Sequence, residues 1–268
     1  MEKICKLKDI KKLKENQVII VNNDKIDIDN LNVSFEGKNN ILFINNSAKI
    51  TIKNTNIKFK GNNSIVFLNG SIFSCILNLD IYNNSVFYMG RNNYINNVLN
   101  VIISEEKNVI IGNECLFSFG IWIRTADPHL IYSISDHKRI NPSKSVFVGD
   151  HVWVGQNATI LKGSKIGSGS IIAASSLVSK KVSSNQIVGG NPIKTIKQNI
   201  FWDKQSTHAF DSKKTEESMI FETDDYIFDK DNSGFFEKID KNLEILKTED
   251  KIDYLKKINS THNRFTIK

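Results

Sequence analysis

Five histidines stand in the chain, at positions 129, 137, 151, 208 and 262. Histidine is the side chain whose proton moves near neutral pH, so each is a candidate acid or base. His129 lies in the run Asp127-Pro128-His129-Leu130-Ile131, where Asp127 would either orient the imidazole or shape the turn. His151 precedes Val152 and Trp153. The indole N–H of Trp153 can donate to a developing oxyanion. His137 and His151 read as surface residues; His208 and His262 fall outside every motif. From His151 to Ile200 there are six lysines and no acidic residue, a stretch suited to an anionic ligand. It lacks the interleaved aromatics or recognition helix of a nucleic-acid surface. The three cysteines, Cys5, Cys75 and Cys115, are too scattered for a disulfide framework or a paired-cysteine zinc site.

These residues need a scaffold, and the middle of the chain supplies one. Val148, Val154, Ile160, Ile166, Ile172 and Val178 recur every sixth position. Four residues after each stands a small or β-branched residue: Val152, Ala158, Ser164, Ser170, Ser176 and Val182. Neither a helix nor an alternating strand has that period. A three-sided coil of short strands does: the aliphatic residue points inward, the small one fits near the corner, and coils stack about 4.8 Å apart. Val148 should then lie under Ile166. The same frame runs through Ile111, Phe117 and Ile123, and an insertion of about 20 residues breaks it. Trp153, beside inward Val154, should face outward. His129 would be the next inward residue after Ile123, but Pro128 opposes a smooth continuation.

Asparagine fills 22 of the first 100 positions, a residue that tolerates turns and left-handed backbone. NNILF at 39–43, NSIVF at 63–67, NSVFY at 84–88 and NVII at 108–111 suggest longer, irregular coils of the same solenoid, with a separate β-sandwich as the alternative. The expected organisation is 1–107, irregular coils with a lysine-rich cap; 108–202, the regular core with a loop over 125–147; and 203–268, an extension. In that extension the spacing predicts helices at about 234–246 and 249–259, and the lysine-rich start and the tail would cover the open ends of the coil. No run of 18 apolar residues exists, which argues against a membrane-spanning helix. The first residues show no secretory signal, so a cytoplasmic location is expected.

The segment VGDHVWVGQNATILKGSKIGSGSIIAASSLVSKKV, followed by IVGGNPIKTIK, resembles the hexapeptide-repeat acyltransferases. Residues 108–203, with the Asp127–Ile131 loop and the His151-Val152-Trp153 run, look like the bacterial capsule and polysialic acid O-acetyltransferases. The resemblance implies a left-handed parallel β-helix, a homotrimer with sites between subunits, and acetyl-coenzyme A as donor, without a metal. It maps the catalytic base to His129 and the residue shaping the acetyl site to Trp153. It places the donor along Trp153, Gly155, Ala173 and Ala174, with Lys180, Lys181 and Lys194 meeting its phosphates and Pro192 setting the exit turn. Asp127, His151 and Arg139 are the residues expected to touch a sugar or polysaccharide acceptor. The expected activity is acetyl transfer to a sugar hydroxyl of a capsular or other surface glycan; the alternative acceptor is a small molecule. Two further readings share the prism: a γ-type carbonic anhydrase, disfavoured because no histidine precedes His129, and a non-catalytic scaffold, disfavoured by the presence of both His129 and Trp153.

Overall fold

In the computed structural model, described for residues 1–22, 25–45, 49–258 and 263–268, the chain winds as a left-handed parallel β-helix with three sheets. The first sheet runs from Glu2–Ile4 and Ile26–Phe35 to Leu177–Val178, the second from Gln17–Val21 to Lys181–Val182, and the third from Tyr94–Ile95 to Lys194–Gln198. The expected ladder is present. Val148 pairs with Ile166 and Val154 with Ile172; all six period residues and all six small residues are buried. One apolar interior extends from Ile4 to Ile193. The N-terminal strands are parallel neighbours in this same coil, Ile26 beside Ile50 and Ile41 beside Ile65, so they do not form a separate sandwich.

The abundant asparagines have two physical uses. Asn39, Asn63 and Asn84 occupy one corner, each at φ between 54° and 58°, the left-handed region Asn tolerates. Their side chains also pass hydrogen bonds from coil to coil: Asn39 to Asn63 at 3.3 Å, Asn63 to Asn84 at 3.0 Å, Asn84 to Glu106 at 2.6 Å. A second ladder on the first sheet joins Asn32, Asn56, Asn78 and Asn100. Each neutral bond of this kind contributes about 1 kcal/mol.

At the N-terminal end, Glu2–Ile4 closes the first sheet by pairing antiparallel with Val33–Phe35, and Ile10 and Leu13 pack on the interior. The C-terminal tail does something different from covering an end. A short helix, α1 (Ser212–Glu217), precedes the two expected ones, α2 (Gly234–Ile245) and α3 (Thr248–Lys257); the expected last residue of α3, at 259, lies outside the described residues. Phe236, Ile239, Leu243, Ile252 and Leu255 pack on the outer face of the second sheet, against Ile41, Phe43, Ile65, Phe67, Val86, Tyr88, Ile110 and Phe147. Burial of each such side chain contributes roughly 1.5–3 kcal/mol. Arg264, only 1% exposed, pins the end of the tail by two bonds to the Asp150 carboxylate, at 3.0 and 2.6 Å.

Candidate active site

The loop carrying His129 leaves the first sheet after Trp122–Arg124 and rejoins the second at Val146–Val148. Across it the register steps 37 residues, Ile111 to Val148, against 18 from Val148 to Ile166, which matches the expected insertion. Pro128 and His129 are exposed, so the imidazole stands outside the apolar ladder. The ring makes no hydrogen bond to a described residue. Its main chain is held instead, Asn141 Nδ2 donating to the His129 carbonyl at 2.8 Å.

Asn141, 6% exposed, is the pivot of this loop. Its amide also donates to Asp127 at 3.1 Å, and its side-chain oxygen accepts from the Ile131 N–H at 2.9 Å. Asp127 forms an ion pair with Lys162. The Lys162 ammonium and then the Asn141 amide hold its carboxyl below the usual range. Its partners are therefore these two groups and not the imidazole, so of the two roles considered, shaping the turn is the one the contacts describe. Arg139 grips Glu105 through two bonds of 2.6 and 2.9 Å, and Ser143 donates to the same carboxylate. Arg139 first, then Ser143, bring Glu105 down to about 2. The expected acceptor contact Arg139 is thus a brace for the loop.

On the third sheet Trp153 points outward and is 40% exposed. Its ring tilts against Trp202, centroids 5.8 Å apart. Here the expectation for His151 is corrected. It is neither a surface residue nor within reach of an acceptor: it is 2% exposed, stacked between Trp202 at 4.0 Å and Tyr226 at 3.9 Å. The two residues exchange bonds, Trp202 Nε1 donating to the His151 carbonyl at 3.0 Å and His151 Nε2 meeting the Trp202 carbonyl at 2.8 Å. Burial lowers the His151 pKa, as expected when a charged ring would lose its water. The tail that supplies Tyr226 is what encloses it. His137 is exposed, as expected.

Gly155, Ala173 and Ala174 share the corner between the third and first sheets. A Cβ on Gly155 would lie 2.6 Å from the Ala174 nitrogen, so coil stacking alone requires glycine there. Pro192 is exposed in the turn before the antiparallel strand Lys194–Gln198. Lys180, Lys181 and Lys194 are exposed but occupy different places: Lys181 lies on the second sheet beside Lys165, Lys180 just before it, and Lys194 on the third sheet. Within one chain, then, Trp153, the small corner and Lys194 share one side, while His129 projects from the corner between the first and second sheets. Among the described residues no three His, Cys, Asp or Glu groups come together as a metal site, and no helix is long and apolar enough to cross a membrane.

Sequence reasoning missed Asn141, Glu105, Lys162 and Trp202. Asn141 carried a signal, an Asn-Pro inside an insertion; Glu105 and Trp202 lie far from their partners in sequence and carried none.

The description "Bacterial transferase hexapeptide (six repeats)" matches residues 145–180. A polysialic acid O-acetyltransferase of Escherichia coli O1:K1 / APEC is 41% identical over 101 residues, 38% of this chain and 33% of that protein. One from Neisseria meningitidis is 40% identical over 52 residues, 19% of this chain and 24% of that protein. The matched segments thus span about a third and a quarter of these relatives. Two solved structures match far more of the chain. The polysialic acid O-acetyltransferase OatWY has a TM-score of 0.63 at 28% identity, covering 75% of this chain and 95% of that one. The polySia-specific acetyltransferase NeuO has a TM-score of 0.64 at 30% identity, covering 76% and 93%. With that extent of likeness, in sequence and in fold, the chain belongs to the hexapeptide-repeat acyltransferase family of the polysialic acid O-acetyltransferases.

Proposed function

We propose that the protein transfers acetyl from acetyl-coenzyme A to a sugar hydroxyl of a bacterial capsular or other surface polysaccharide, a sialic acid polymer being the leading acceptor, and that it works in the cytoplasm. His129 takes the hydroxyl proton as the oxygen attacks the thioester carbonyl. Trp153, whose indole N–H has no acceptor among the described residues, donates to the resulting oxyanion, as a backbone N–H can. When the tetrahedral adduct collapses, the C–S bond breaks and the histidinium returns its proton to the departing thiolate. Every step is proton transfer and direct attack, with no covalent enzyme intermediate.

The observation that carries this reading is the placement of His129: an exposed imidazole without a hydrogen-bond partner among the described residues, on a loop braced at Asp127, Asn141 and Arg139. Trp153 lies on another side of the same coil, so the two meet when the loop of one copy reaches the third sheet of the next. The loop's surface favours such a neighbour: Leu130, Tyr132, Ile134 and Ile140 are all more than half exposed, an unusual apolar cluster for a free loop. A cyclic homotrimer gives each copy one such contact. Gly155, Ala173 and Ala174 leave the third-sheet corner low enough for a pantetheine arm, with Lys194 on the same side for phosphate.

The test is a panel of de-O-acetylated capsular polysaccharides and their monomers, incubated with acetyl-coenzyme A and read by NMR of the product. The expected result is a new O-acetyl signal on one polysaccharide. Transfer to an amine, or to monomers alone, contradicts the polymer reading.

A further inference from the structure

The helical hairpin encloses more than an apolar face. Where the turn between α2 and α3 crosses the corner between the first and second sheets, it leaves a cavity of about 440 Å³, within the rough 300–1,000 Å³ range of small-ligand pockets. One wall is the left-handed column Asn39, Asn63, Asn84 and Glu106, ending at Lys107; the other is Lys247, Lys251 and the first turn of α3.

Lys251 is the anomaly. It is 5% exposed, lines this cavity, and its ammonium makes no hydrogen bond or ion pair with any described residue. Burial lowers its pKa, with the Glu106 charge opposing. Its stem is packed while its ammonium reaches the cleft, the arrangement in which a charged head can meet an anion. The first turn of α3, a helix of 10 residues, adds unclaimed amides, and Lys247 at its start makes no side-chain cap bond; such a terminus favours an anion. Glu106, Glu244 and Glu249 line the cavity too, so it is a mixed polar site rather than a cationic patch. Amides, carboxylates and the Lys251 ammonium suit a sugar that brings its own carboxylate: hydroxyls to the glutamates and asparagines, the carboxylate to Lys251 and the α3 amides.

The cavity leads toward the catalytic loop. Lys107 also lines a neighbouring hollow with Ser143, Lys144 and Lys165, at the point where the loop rejoins the coil. Glu105, next to Glu106, is the residue that braces that loop.

We propose that this cavity is a second acceptor subsite, holding a carboxylated sugar of an anionic glycan chain while another residue of the same chain lies at His129. It rests on the O-acetyltransferase reading above. The test is calorimetric binding of sialic acid oligomers without acetyl-coenzyme A, to the wild type, Lys251→Met and Lys247→Ala, with inorganic phosphate and a neutral maltooligosaccharide as competitors. Lys251→Met should bind oligomers about tenfold more weakly, the loss of one charge-assisted contact. It should raise KM for polymer while kcat and KM for acetyl-coenzyme A stay unchanged. Lys247→Ala, at an exposed site, should weaken binding in the same direction and carries the test if Lys251→Met fails to fold. Unchanged affinity in the variants, no oligomer binding by the wild type, or displacement by phosphate or the neutral sugar as readily as by sialic acid overturns the proposal. Oligomer binding that depends on Lys251 in a protein that transfers no acetyl group would sustain the subsite and remove the enzymatic reading instead.

Discussion

The coils before the His129 loop and those after it solve one stacking problem in two ways. Before the loop, neighbouring coils step unevenly, as from Ile41 to Ile65, Ile65 to Val86 and Leu77 to Leu99. Side-chain amides form ladders at one corner and along the first sheet, and glycines bring backbone together at that same corner, as at Gly37 against Gly61. After the loop the step falls to 18, Val154 to Ile172. There too small residues let backbone meet backbone at the corners, as at Gly155 against Ala174. The period is strict after Val148 and loose before it, and the insertion bearing His129 sits at the seam. The tail belongs to both halves, since Phe236 packs against Phe147 and Asp240 of α2 accepts from Asn108 and Ser145 on either side of the loop.

The largest effect is expected at the seam itself. His129→Ala should lower turnover by about two to three orders of magnitude, the contribution of a general base, while both halves keep their melting behaviour; initial rates and thermal scans check this. The tail is next. Arg264→Met leaves the Asp150 carboxylate buried without its partner, which costs about 3–5 kcal/mol. Chemical denaturation should show that loss, and hydrogen exchange should rise on the second sheet on both sides of the loop. If exchange rises on one side alone, the tail does not bridge the halves.

A smaller, pH-dependent effect belongs to the later coils. His151 is kept neutral by burial, its pKa lowered from the ordinary 6.5. The unfolded chain takes up a proton below that value and the folded chain does not, so stability present at pH 7.5 should decline as pH falls from about 6.5 toward the lowered folded value. His151→Gln should flatten this slope, measured as the denaturation midpoint against pH; an unchanged slope would place the titrating group elsewhere. The smallest effect tests the earlier coils. Asn78→Ala interrupts the amide ladder and should cost about 1 kcal/mol, with no change in activity.

The regular coils were legible because one inward residue in six must be aliphatic, and nothing else produces Val148 to Val178. His129 and Trp153 were legible as local runs: Trp153 faces outward, as its place beside Val154 required, whereas the frame pointed His129 inward and Pro128 alone spoke for the exposed loop on which it stands. The cover over the second sheet was written in the sequence as well. Strands such as ILFIN and IVFLN are apolar at successive positions and buried on both faces, whereas LNLDI on the first sheet alternates, as strands with one solvated face do. Such runs announce a partner without naming it; only the fold shows that α2 and α3 fill that place. His151 was misread because its burial comes from Trp202 and Tyr226, which are 51 and 75 positions away. The brace of Arg139 on Glu105 was illegible for the same reason: a coil returns to the same corner only after a full turn, and the insertion hides how long that turn is.

The central claim is that His129 of one copy works with Trp153 of another. His129→Ala and Trp153→Ala, co-expressed with different tags and purified through both, test it most directly. Each variant alone should be nearly inactive. Mixed assemblies should recover a substantial fraction of wild-type turnover, because some contacts then join an intact imidazole to an intact indole. Mixed assemblies no more active than the two variants alone would contradict the account.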